Sequence, residues 1–137
     1  MSPTDKRTTR AKAKANNICG RCLIAPAIIG RCCESCAKKQ YESKQRSDKK
    51  LRLEVYTAYG NKCACPPCGE SITKFLTLDH VNNDGYKHRK ELHDNSRAIY
   101  VWAKENSYPP TLQILCSNCN LGKMRNLGIC PHMEQIL

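Results

Sequence analysis

Phe and Trp are almost missing from this chain: 137 residues contain one of each. Mean hydropathy is negative. Such a chain has little with which to build a large apolar core, and small cores need staples. The N-terminal stretch MSPTDKRTTRAKAKANN holds no apolar run, which argues against a secretory signal or a membrane span there. No repeat of fixed period is present. A complete disulfide framework is excluded as well, because the 11 cysteines are odd in number. With no export route in view, an intracellular, cytoplasmic location and reduced thiols are expected. Cysteine pairs in a reducing compartment are more often metal ligands than cross-links.

Charge is present in excess. The formal net charge is +11, and its distribution is uneven. Residues 1–55 hold 14 Lys/Arg against 5 Asp/Glu, a net of +9; residues 56–137 hold 9 against 7, a net of +2. Eight zinc-bound thiolates and two Zn²⁺ would lower the total to +7, still basic. Nucleic acid is the expected partner, since neutralised phosphates release counterions.

The chain divides by composition. Residues 1–17 are polar and basic without periodicity and read as a disordered arm. Residues 18–37 form a four-cysteine module. Residues 38–60 read as a basic linking helix, amphipathic through Leu51, Val55 and Tyr59, with Gly60 as its C-terminal cap. Ser47-Asp48 offers a place for that helix to break and be capped anew. Residues 61–137 hold a cysteine turn, a strand, a loop carrying His88 and Arg89, a short helix over 95–106 with Ile99 and Trp102 in the core, the strand TLQIL, and a helix ending at Gly128.

The cysteines fall into two groups of four. Cys19-x2-Cys22 and Cys33-x2-Cys36 give two tight turns whose sulfurs can meet at one tetrahedral zinc, with bonds of about 2.3 Å. Cys32 is an alternative ligand or a spare thiol. Cys65-x2-Cys68-Gly69 and Cys116-x2-Cys119 give a second structural zinc site, with Cys63 competing with Cys65 for one position. An iron–sulfur cluster shares the four-cysteine pattern. Cys130 and His132, in GICPH, either cap a site or simply pack.

Between the halves of the second group lies FLTLDHVNNDG, residues 75–85. Alternating apolar residues give a strand that ends on Asp79-His80, followed by turn residues. A carboxylate beside an imidazole at a strand end suits metal binding and proton transfer.

The order Cys-x2-Cys, Asp79-His80, Cys-x2-Cys-Asn120, with Lys123 three positions on, resembles the HNH endonuclease family. The resemblance is to its zinc-stapled phage-type branch, and it covers roughly residues 58–132. It implies a small α+β protein with the ββα-metal (His-Me finger) nuclease fold, preceded here by the N-terminal zinc-knuckle module and the basic helix. It also implies hydrolysis of DNA phosphodiester bonds, by nicking or double-strand cleavage. His80 matches the general base. Asp79 and Asn120 match the ligands of a catalytic Mg²⁺ or Mn²⁺. Thr111 stands where the family usually has Asn. Arg89, Lys123 and Arg125 are candidates to meet phosphate. The expected partner is duplex DNA, inside a host cell if the protein is phage-encoded, with a protein partner as the alternative for the N-terminal module. The runner-up function is a non-catalytic, zinc-dependent nucleic-acid-binding protein on the same scaffold.

Overall fold

The computed structural model describes residues 3–93 and 95–135. Its contacts divide it into two units, residues 1–47 and residues 48–137. The division falls inside one helix.

In the first unit, α1 spans Pro3–Ala15. The expected disordered arm is therefore helical within the described residues. Lys, Arg and Ala have high helix propensity, and the one Pro sits at the first helical position, where its missing N–H costs nothing. Ile18 N–H closes onto the Ala13 carbonyl (2.8 Å), and Ala13 is buried. Two isolated antiparallel bridges follow, Ile18–Pro26 and Ile29–Cys32. Then α2 begins and runs unbroken over Glu34–Ala58. No break occurs at Ser47-Asp48, because nothing there removes a backbone donor and Lys49–Leu53 are good helix formers. The helix ends in a Schellman cap: Gly60 (φ +91°) donates to Thr57 O, and Asn61 donates to Tyr56 O at 2.8 Å.

In the second unit, a single 3₁₀ turn at Thr73–Phe75 leads into β1, Leu76–His80. Next come α3 (Gly85–Glu91), α4 (Ala98–Glu105), β2 (Leu112–Cys116), α5 (Ser117–Arg125) and α6 (Pro131–Glu134). His88 and Arg89 thus sit on α3 and not in an open loop. The strands form a two-stranded antiparallel sheet, with Leu76 opposite Cys116 and His80 opposite Leu112. Leu76, Leu112 and Ile114 pack against Val55 and Tyr56 of α2 and Ala103 of α4, all buried. Tyr56 Oη donates to the Leu76 carbonyl (2.8 Å), which satisfies its buried hydroxyl. Strand alternation sends Thr77 and Asp79 to the other face, where α5 lies. Among the described residues, no helix is long and apolar enough to cross a membrane.

Candidate functional site

The strand end collects the expected residues in one place. Asp79, His80 and Asn120 all line a cleft of about 830 Å³, together with Arg52, Gly85 and Arg89. Neighbouring residues on a strand point to opposite faces, so each of the pair has its own partners.

Asp79 is buried on the α5 side. Its Oδ2 accepts from Lys123 Nζ at 2.7 Å and from Gln113 Nε2 at 2.8 Å. Lys123 Nζ also donates to the His80 carbonyl at 2.6 Å. The side chains of Lys123 and Asp79 are 6% and 9% exposed, which corrects the expectation that Lys123 meets phosphate: its charge is spent on a buried acid. Asn120 Nδ2 donates to Thr77 Oγ1 at 3.0 Å, turning its amide oxygen away from the strand hydroxyl.

His80 is held on the α3 side. Its Nε2 lies 2.8 Å from His88 Nδ1, so one ring donates and the other accepts. The rings meet edge-on at 5.1 Å, and His88 in turn meets Trp102 edge-on at 4.2 Å. Burial, then the nearby charge of His88, holds the His80 pKa below the ordinary imidazole value, against an opposing pull from Asp84 and Asp79. The approach of α3 depends on Gly85, where an added Cβ would lie 2.9 Å from His80 Nδ1. The Thr111 departure has little structural weight, because its backbone carbonyl holds the chain after His80 by accepting from Val81 N–H (2.9 Å). Any residue but one that alters the backbone supplies that group. Arg89 is exposed at the cleft, whereas Arg125, also exposed, is not part of its lining.

The cysteines of the first unit meet as expected. The sulfurs of Cys19, Cys22, Cys33 and Cys36 all lie within 4.8 Å of one another, and those of Cys22 and Cys33 are 3.8 Å apart. Cys36 stands in the first turns of α2. Crowding splits the thiols. The Cys22 backbone N–H, then that of Cys33, lowers Cys19 to about 5, while the Cys33 sulfur and then burial push Cys36 up to about 12. Four such sulfurs ionise together only beside a cation, and the donor set is that of a closed tetrahedral zinc site. Cys32 stays outside it, its sulfur 3.8 Å from Gln40 Oε1.

The second group differs by one member. Cys63, not Cys65, joins Cys68, Cys116 and Cys119 within 4.8 Å. Ala64 N–H is tied to the Ile114 carbonyl (2.7 Å), so the chain passes β2 with Cys63 placed to accept from Cys116 N–H at 3.2 Å. Cys68 and Cys116 sulfurs are 3.6 Å apart. Cys116 caps α5, accepting from Cys119 N–H at 3.3 Å. Burial works against its thiolate, but that bond and the neighbouring sulfurs outweigh it and lower its pKa. These four can hold a second zinc. Cys65 turns instead toward Cys130, 3.5 Å away, and His132.

No family model matches the chain, and no curated protein or solved structure matches it either.

Proposed function

We propose that the protein is a metal-dependent endonuclease of the HNH type, acting on DNA, with the second unit as its nuclease domain in the ββα-metal fold. The reading rests on one observation: Asp79, His80 and Asn120 line a single cleft where β1 ends, beside a helix entered directly from the second cysteine pair of a zinc-competent group. The donor chemistry fits a hard divalent cation. Asp79 offers a carboxylate whose hydrogen bonds both fall on Oδ2, and Asn120 offers an amide oxygen.

In this mechanism His80 takes the proton of the attacking water. Its lowered pKa keeps the ring neutral and able to accept at neutral pH. His88 fixes the ring's orientation, and Trp102 fixes His88. Arg89 and Arg52 at the cleft orient the phosphate. Mg²⁺ or Mn²⁺ bound at Asp79 and Asn120 would stabilise charge on the phosphate oxygens. A second cleft, in the first unit, is lined by Arg7, Arg10, Lys14, Arg21 and Arg31, and serves to hold DNA through its backbone.

One observation favours the non-catalytic reading: Lys123 already neutralises Asp79. The deciding experiment is incubation of purified, zinc-loaded protein with supercoiled plasmid, with and without Mg²⁺ or Mn²⁺. Relaxed or linear product that requires the added cation and disappears in Asp79→Asn supports the nuclease. Plasmid that is bound but never cut leaves only the binding function.

A further inference from the structure

A third set of four ligand atoms, sharing Cys119 with the second zinc group, converges beside it. The sulfurs of Cys65, Cys119 and Cys130 and a ring nitrogen of His132 all lie within 4.8 Å of one another. Cys65 and Cys130 sulfurs are 3.5 Å apart. His132 Nδ1 is 3.4 Å from Cys119, 3.6 Å from Cys130 and 3.9 Å from Cys65. A zinc tetrahedron with Zn–S near 2.3 Å and Zn–N near 2.0–2.1 Å has S–S edges of about 3.8 Å and S–N edges of about 3.5–3.6 Å. The observed separations scatter about those edges. They are also far too long for a disulfide, whose sulfurs stand about 2.05 Å apart.

Cys119 belongs to both groups. Two four-coordinate zinc ions require eight ligand positions, and seven side chains are present. The count closes only if one sulfur serves both metals, and a thiolate has the lone pairs to do so. We propose that the second unit carries a dinuclear zinc cluster, bridged by the Cys119 sulfur. Cys63, Cys68 and Cys116 complete one metal, and Cys65, Cys130 and His132 complete the other. The full chain then holds three zinc ions. Six thiolates and two Zn²⁺ carry a formal charge of −2.

The surrounding chain is built to deliver the last two ligands. Gly122 of α5 lets Pro131 seat against the helix: a Cβ there would lie 2.8 Å from Pro131 Cδ. Pro131 opens α6, with Cys130 at its N-cap and Met133 N–H bonded to the Cys130 carbonyl at 2.8 Å. Asn126 spans the turn, donating to the Ile129 carbonyl (3.1 Å) and to Glu134 Oε1 (2.7 Å). Cys65, Cys119 and Cys130 are all buried, at 4%, 1% and 8% exposure. Each of these features brings Cys130 and His132 onto Cys119. None depends on the nuclease reading, which can fail while the cluster stands.

The test is metal counting on the full chain, followed by proof of the shared sulfur. Native mass spectrometry is expected to give three zinc ions per chain, and two for both His132→Ala and Cys130→Ser. His132 sits on the four-residue α6, which contributes no buried residue to the core, so its variant should leave the rest folded. In protein loaded with ¹¹³Cd, the Cys119 β-protons should correlate with two cadmium nuclei and those of every other ligand cysteine with one. Two zinc ions in the wild type, unchanged in His132→Ala, would overturn the third site. A third ion with Cys119 coupled to a single cadmium would overturn the bridge. A chain 2 Da lighter with a Cys65–Cys130 disulfide would overturn both.

Discussion

The two units use the same cysteine chemistry for different amounts of structural work. In the first, the buried residues among those described are Ala13, Cys19 and Cys33, and Ile24 and Ile28 stand 84% and 73% exposed. Little but a metal can hold residues 18–33 in place. In the second, Val55, Tyr56, Leu76, Leu112 and Ile114 form an apolar core before any cysteine is considered. The comparison teaches that a metal site can be the fold of one unit and the anchor of a site in the next. In the second unit the scaffold surrounds a cleft with a carboxylate, an imidazole and an amide.

The sharpest way to break this contrast is to strip the zinc. Structural zinc is worth roughly 10–16 kcal/mol in small modules. Exhaustive chelation should erase hydrogen-exchange protection over residues 18–33 while the β1–β2 amides keep part of theirs. Equal loss in both units would show that the second core does not stand without metal. A smaller effect comes from the buried ion pair. Lys123→Met leaves Asp79 buried without its partner and should cost about 3–5 kcal/mol in urea unfolding followed by Trp102 fluorescence, with much of it recovered by adding Asp79→Asn. His80→Ala should lower cleavage by about 10²–10⁴-fold with the zinc count unchanged; wild-type cutting rates would remove His80 as the base. The gentlest change concerns the first unit's basic cleft. Replacing Arg7, Arg10, Lys14, Arg21 and Arg31 by Gln should flatten the plot of log affinity against log salt by about 0.9 for each phosphate no longer neutralised. An unchanged slope would favour a protein-partner role for the first unit over DNA holding.

Elements with strong local signals were legible from sequence. The Gly60 cap, the strand into Asp79-His80 and the helix after Cys116 all carry their own punctuation, whereas Ile99 and Trp102, expected in the core, are only half-buried against it. Others depend on partners that sequence distance hides. Lys123 reads as a surface charge until a buried acid 44 positions earlier is brought beside it. Cys63 and Cys65 satisfy a knuckle spacing almost equally, and the Ala64–Ile114 backbone bond decides between them. Asn82 to Gly85 read as a turn that continues as loop, whereas the chain turns once and enters α3. His88 could be seen as a histidine near the site but not as the partner of His80, because that needs α3 folded back across the strand end. Cys130 and His132 lacked any pattern to pair with until Cys119 was placed next to them.

The cysteine groups make the folded population a matter of supply. Each ion that binds only the native chain adds stability as the logarithm of its free concentration, about 1.4 kcal/mol for every tenfold change once the site is well filled. With the proposed cluster, the folded fraction of the second unit would depend on free zinc with a limiting order of two, and that of the first unit with an order of one. Loss of the Cys119 sulfur removes two of those orders at once. In a cell where zinc is buffered, the amount of this protein able to act is then metered by the buffer as much as by its synthesis.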